Sequence, residues 1–318
     1  MAVADVTQAD YEALTRGCAL VERSERGKLA LTGADAKEFL NGQVTNDVEA
    51  LSPGTGCYAA FLTHKGKMLG DLRILDADGE LLLDCERVAL QGLFDHVRRF
   101  SIGHAAELHK RTLERGLLSL VGARAREVAG APDLPPVEHA HREAEVGGAR
   151  VRVIVTDSGL DILCDAADTE AVAAALAAAG AVPVSEVAAE VVRVERGRPR
   201  YGVDLDDSVI PQEAGLNERA VSFTKGCYLG QETVARLYYK GKPNRHLRGL
   251  RLSGPVPIGT QLLLGGREVG RVGSSVLSPR LGPIALAIVR REAEDGDTVL
   301  VGDGRAEATV VGLPFAGE

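Results

Sequence analysis

The last quarter of the chain leaves little freedom of fold. From Arg245 onward, short β-rich runs at 247–252, 261–264, 268–275, 284–289, 298–301 and 306–311 alternate with breaks rich in glycine and proline. No helical periodicity interrupts them. Short strands joined by tight turns bury one shared face and lose their free edges by closing on themselves, so 245–318 is expected to form a small β-barrel.

The preceding two-thirds mix the two periodicities. Apolar runs at 19–21 and 28–32 flank the turn Ser24-Glu25-Arg26-Gly27 and predict a hairpin. Gly33-Ala34-Asp35 opens a helix over 36–43. Strands are expected at 57–63, 69–75 and 80–85. A helix is expected over 87–100, where Leu90, Leu93, Phe94 and Val97 share one face. The pattern then repeats, with strands at 117–121, 150–155 and 160–164 and an alanine-rich helix over 169–180. His139 and His141 stand in a polar loop and read as solvated rather than metal-binding. The fold class is α+β: a first α/β part over 1–115, a second over 116–244 and the barrel over 245–318.

Several function classes fall away. No run of eighteen apolar residues exists, and the N-terminal stretch lacks a basic and an apolar region, so the expectation is a cytoplasmic protein that does not enter membranes. Five cysteines without a C-x-x-C pair argue against a disulfide framework, a structural zinc or a resident iron–sulfur cluster; no bound metal is expected. No amphipathic seam suggests a coiled coil, so the expected state is a monomer. A net charge of −8 disfavours nucleic acid as a general partner.

The charge is uneven, however. Residues 219–251 hold eight Lys or Arg against one acid, Glu232, together with Phe223, Tyr228, Tyr238 and Tyr239. Cations interleaved with rings suit an anionic ligand bearing a flat ring, although a solvated basic face has the same composition. Within this run lies TKGCYLGQETVAR. Cys227 follows Lys225 by two residues and precedes a helix signal, a setting that favours a thiolate; a tight loop around a filler cysteine is the other reading. Lys225, Tyr228, Gln231 and Arg236 are the candidate ligand contacts of the stretch.

Two acids complete the candidates. Glu195 interrupts an alternating apolar run in Val192-Arg193-Val194-Glu195-Arg196. Its carboxylate suits either a ring N–H beside an exocyclic amine or an ion pair with Arg193 or Arg196. Asp71, in Gly66-Lys67-Met68-Leu69-Gly70-Asp71, stands at a strand start, as a turn residue or a charged ligand contact.

Lys225-Gly226-Cys227-Tyr228-Leu229-Gly230-Gln231-Glu232 resembles the K-G-C-Y-x-G-Q-E signature of the YgfZ proteins, folate-binding iron–sulfur assembly factors similar to the aminomethyltransferase (T-protein) of the glycine cleavage system. Leu31 to Asp47 and Arg193 to Leu216 resemble further shared blocks, so the likeness spans nearly the whole chain. It implies an aminomethyltransferase-like folate-binding fold, tetrahydrofolate or a one-carbon derivative as ligand, and iron–sulfur client enzymes or assembly factors as partners. It places Glu195 at the pterin edge, Asp71 near the reacting folate nitrogen and Cys227 as a reactive thiol. T-proteins carry an Asp-Asp pair where this chain has Gly70-Asp71, which argues against the alternative of a folate-dependent aminomethyltransferase. A further alternative is an RNA-binding module using the basic, tyrosine-bearing stretch.

Overall fold

The computed structural model describes residues 6–304 and 306–315. Helix α1 (Gln8–Thr15) starts at Thr7, whose side chain accepts the Asp10 N–H, and leads into strand β1 (Ala19–Glu22). Then come β2 (Gly27–Thr32), α2 (Ala36–Asn41), β3 (Gly56–Leu62), β4 (Met68–Asp76), β5 (Glu80–Cys85), α3 (Leu90–Phe100) and β6 (Glu107–Lys110). The next stretch holds β7 (Arg115–Val121), α4 (Ala125–Val128), β8 (His141–Val146), β9 (Ala149–Thr156), β10 (Gly159–Asp165), α5 (Thr169–Ala178), β11 (Val182–Pro183) and α6 (Glu186–Glu195). Two short helices, α7 (Asn217–Ala220) and α8 (Gln231–Lys240), precede β12 (Arg245–Leu252), β13 (Gln261–Leu264), β14 (Arg267–Ser278), β15 (Gly282–Arg290), β16 (Thr298–Val301) and β17 (Ala306–Val311).

The strands form two open sheets and a closed barrel. One sheet has the order β3-β4-β5-β2-β6, the other β11-β1-β7-β10-β9-β8, and the barrel runs β12-β15-β14-β13-β16-β17. The six barrel strands are those expected from the sequence, and β12 pairs with β17 to close the ring. Each sheet has its own apolar core: Leu29, Phe61 and Ile74 in the first, Leu118, Val153 and Ile162 in the second. No described helix is long and apolar enough to cross a membrane.

The expected hairpin across residues 24–27 does not form. β1 pairs with β7 and β11, whereas β2 pairs with β5 and β6. The turn-like residues are instead a crossover between sheets, and α1 and β1 belong with the second sheet, not with the first part expected over 1–115. The reason is burial: Leu20 and Val21 complete cores on the β7 side that a local hairpin would leave uncovered.

The segment around Glu195 was expected to alternate, but it is the last turn of α6. Ser185 caps that helix by accepting the Ala188 N–H, and Val191, Val192 and Val194 are buried around it. A buried charge bridge joins the two sheets. Arg73 of β4 reaches Asp84 of β5 and Asp161 of β10, each at 2.6 Å, and Ser119 donates to Asp161 at 2.6 Å. Such a bridge adds little net stability over apolar packing, but breaking it leaves a buried charge, which costs about 3–5 kcal/mol. It fixes the spacing of the sheets and hence the space between them.

Candidate functional site

Between the sheets lies a cavity of about 220 Å³, adjoined by a second of about 190 Å³. Arg23, Arg26, Tyr58, Asp71, Asp157, Ser158 and Arg219 line both. The crossover from β1 to β2 supplies Arg23 and Arg26. Tyr58 and Asp71 come from β3 and β4, Asp157 and Ser158 from the β9–β10 turn, and Arg219 from α7. The end of α6 and the segment after it add Arg193, Arg196, Arg198 and Arg200 to the larger lobe.

Seven arginines thus meet three lining acids, Asp71, Glu86 and Asp157. More acids brace the guanidiniums from outside. Arg23 pairs with Glu186 at 2.7 Å, Arg200 with Glu186 at 2.5 Å and Glu190 at 3.0 Å, and Arg219 with Glu138 at 2.5 Å. Arg198 pairs with Asp157 at 2.7 Å, and Arg196 donates to the Asp157 carbonyl at 2.5 Å. The forks are held in place before any ligand arrives, which lowers the entropy cost of binding an anion.

Asp71 is the buried acid of this wall. The Tyr58 hydroxyl donates to its Oδ2 at 2.6 Å, and the Arg219 guanidinium lies 5.3 Å from the centre of the Tyr58 ring. Burial pushes the Asp71 carboxyl up to about 6, against the counter-pull of the Tyr58 hydrogen bond. Burial likewise pushes the Tyr58 phenol well above its ordinary range, reinforced by Asp71.

His139 lines the smaller lobe, and both it and His141 depart from the solvated loop expected of them. His141 is buried, and the His139 side chain is only 12% exposed. Burial, with Arg73 and Arg219 nearby, holds His139 down to about 3; burial and Arg152 hold His141 down to about 4. Both imidazoles are neutral near pH 7.

The Cys227 stretch lies elsewhere. The Lys225 ammonium donates to the carbonyls of Asn41, Val44 and Asn46 at 2.5, 2.9 and 2.8 Å. Burial lowers it to about 8. Tyr228 is buried in the core beside Leu62 and Val234, and burial pushes its phenol up to about 12. The Leu229 N–H donates to the Gly42 carbonyl at 3.1 Å. Gly230 adopts φ 84°, and a Cβ there would lie 2.5 Å from the Thr63 carbonyl oxygen, so only glycine lets the loop approach the β3–β4 hairpin this closely. Gln231 opens α8, and the exposed Arg236 pairs with Glu232 at 2.5 Å. Lys225, Tyr228, Gln231 and Arg236 are absent from the cavity lining, contrary to expectation. Lys225, Tyr228, Leu229 and Gly230 pin the loop, and Cys227 is left exposed. The chain's other cysteines are buried or half-buried.

Glu195 also departs from its expected setting. Its carboxylate accepts the Tyr11 hydroxyl at 3.0 Å and the Ser278 hydroxyl at 2.5 Å, with Arg280 at 3.6 Å. It joins α1, α6 and the barrel, and neither Arg193 nor Arg196 is its partner. Arg193 serves Glu190 and Asp204 instead.

Comparison with known proteins accords with this architecture. Residues 1–225 match the GCVT N-terminal domain and residues 245–316 the glycine cleavage T-protein C-terminal barrel domain. The tRNA-modifying protein YgfZ of Colwellia psychrerythraea is 30% identical over 72% of this chain and 70% of its own length. The chain belongs to the YgfZ family, related to the glycine cleavage T-protein. An aminomethyltransferase of Rubrobacter xylanophilus is 29% identical over 97% of this chain and 86% of its own length. A chloroplastic protein of Arabidopsis thaliana is 28% identical over 92% of this chain and 70% of its own. The crystal structure of the glycine cleavage aminomethyltransferase T from Bartonella henselae superimposes with a TM-score of 0.86 at 24% identity, covering 97% of this chain and 89% of that one. The fold is therefore aminomethyltransferase-like, with the closed barrel at its C-terminus.

Family likeness at Gly70 is limited by packing. A Cβ there would sit 3.0 Å from the Ala89 Cβ, so a second acid beside Asp71 would press on the turn that leads into α3, which would have to give by a few tenths of an ångström. The sequence marks Arg26 as a turn residue, Arg193 and Arg196 as possible partners of Glu195 and Arg219 as part of the basic stretch, and none of them as a cavity residue. The available signal is the density of arginine between Arg193 and Arg200, four in eight residues, of which the sequence offers Arg193 and Arg196 as partners for Glu195.

Proposed function

We propose that this chain binds a reduced folate, tetrahydrofolate or a one-carbon derivative, in the cavity between its sheets, and that it acts in the assembly or repair of iron–sulfur enzymes with Cys227 as its reactive thiol. The observation that carries the ligand reading is the wall of braced arginines facing Asp71 and Tyr58. That wall suits a ligand with carboxylates at one end and ring nitrogens at the other. The residues fit the carboxylate end well. At the ring end, Asp71 is the lining acid held by a tyrosine, whereas Glu86 and Asp157 pair with Arg26 and Arg198, and Glu195 reaches a pterin edge only by releasing the hydroxyls of Tyr11 and Ser278. Arg196 and Arg198 would hold the carboxylates, and Asp71 would accept a ring N–H.

The thiol role is supported by family membership and by the exposure of Cys227 on a loop whose other residues are spent on holding it. In an exchange with a client's persulfide, the Cys227 thiolate takes the outer sulfur and the client's thiolate leaves. The test separates the two halves. Cys227→Ser should bind tetrahydrofolate as tightly as the parent yet fail to restore iron–sulfur enzyme activity in a cell lacking the protein. Full rescue by Cys227→Ser would end the thiol reading and leave the ligand reading intact.

A further inference from the structure

The cavity does not absorb the aromatic residues of the basic stretch. Phe223 and Tyr238 stack with ring centres 3.8 Å apart and planes 16° from parallel, and Tyr239 meets Tyr238 edge-on at 5.0 Å. Tyr238 is 50% exposed and Tyr239 67%, so two of the chain's six tyrosines stand on the outer surface at the end of α8. Burying such rings would be favourable. The stack instead stands ready-made, with its rings ordered by one another.

The charges around it have one dominant sign. From Phe223 to Lys242 the cations are Lys225, Arg236, Lys240 and Lys242, against Glu232 alone. Lys225 is spent on backbone carbonyls, and Glu232 is matched by Arg236. Lys240 and Lys242 are exposed. Lys240 suits the carboxyl end of its helix, but Lys242 lies beyond it. The rest of the chain is acidic enough to give a net charge of −8. On the outer surface a polyanion would therefore find unspent cations at this end of α8.

We propose that Tyr238, Tyr239, Lys240 and Lys242 form a docking surface for an unpaired segment of RNA, whose bases stack on the tyrosines and whose phosphates meet the lysines. Every base has a π-face, so stacking gives affinity without strong sequence preference, and flexible lysines follow the backbone. Phe223 lies four residues before Cys227, so the platform borders the loop that displays the thiol.

The test is fluorescence anisotropy of a fluorescein-labelled twelve-nucleotide single-stranded RNA and of an unmodified tRNA, at 50 and 200 mM salt. Expected is salt-dependent binding by the parent chain. Loss of stacking in the Tyr238→Ala/Tyr239→Ala double variant should weaken it about 10- to 100-fold, whereas Tyr238→Phe/Tyr239→Phe should bind as the parent does. Lys240→Gln/Lys242→Gln should lower the slope of log affinity against log salt by about two. Absence of RNA binding by the parent at 50 mM salt, or equal binding by the alanine variant, overturns the proposal. So does self-association of the parent that the alanine variant abolishes, since the face then belongs to a second copy. Tetrahydrofolate titrations of the same variants should match the parent, so failure here is distinguishable from failure of the folate reading.

Discussion

The Tyr58 hydroxyl and the Asp71 carboxylate meet at 2.6 Å across neighbouring antiparallel strands. Tyr58 is registered with Arg73, and Ala60 with Asp71, so the two groups are diagonal neighbours on one face of the sheet, which they turn toward the cavity. Burial outweighs the hydrogen bond and keeps the Asp71 carboxyl at about 6. A raised carboxyl binds its proton more tightly in the folded chain than in the unfolded one. Its contribution to stability is therefore greatest below the ordinary carboxylate range and is lost as pH rises through about 6.

A pH dependence of binding follows from that sign. The ionised Asp71 accepts a ring N–H and the protonated form does not, so tetrahydrofolate affinity should fall as pH drops below about 6. In Asp71→Asn the profile should be flat between pH 5 and 7, and the variant should melt higher than the parent above pH 6. A parent profile without an inflection near 6 would remove Asp71 from the site.

Arg196 and Arg198 line the cavity and are half-buried, so they can be changed without exposing a core. Charge-assisted hydrogen bonds contribute about 1.5–3 kcal/mol each. Arg196→Gln and Arg198→Gln should each weaken tetrahydrofolate binding roughly 10- to 100-fold, with little change for a pterin that lacks the glutamate. Equal losses for both ligands would mean that the arginines shape the cavity rather than read the carboxylates.

Glu195 offers a contrast. Its removal strands the hydroxyls of Tyr11 and Ser278 in a buried setting, which costs about 1–3 kcal/mol. Glu195→Ala should lower the melting temperature while leaving tetrahydrofolate affinity near that of the parent. The opposite pattern, lost affinity at an unchanged melting temperature, would restore the pterin-edge role that the sequence suggested.

The acid limb of stability should report on the two buried histidines. Both are held below the ordinary imidazole value, to about 3 and about 4. The unfolded chain therefore takes up protons first as pH falls, and the stability they confer is full above about 6.5 and lost on acidification. A His139→Asn/His141→Gln variant should show a flatter melting-temperature profile between pH 6.5 and 4 than the parent. An unchanged slope in that window would place acid sensitivity in other groups.

Much of the fold could be read from the sequence because its signals are local. The barrel strands, the helix at Leu90–Phe100 and the alanine-rich helix at Thr169–Ala178 each carry their own period and turn residues. The crossover at Arg23 to Arg26 carries the same turn chemistry as a hairpin, and only the competition between two distant sheets for β1 decides against one. The site suffered likewise. The signature around Cys227 marked a chemically distinct loop, but the duty of Lys225 depends on carbonyls about 180 residues earlier in the chain. The arginine wall is assembled from three separate segments, and no short window of sequence contains it.

Calorimetric titration of the chain with tetrahydrofolate at pH 7 tests the central claim most directly, with Arg198→Gln and Cys227→Ser measured beside it. The expected result is saturable binding to one site, weakened about 10- to 100-fold in Arg198→Gln and unchanged in Cys227→Ser. The absence of saturable binding by the parent, or equal affinity in the parent and Arg198→Gln, would contradict a folate held by the arginine wall.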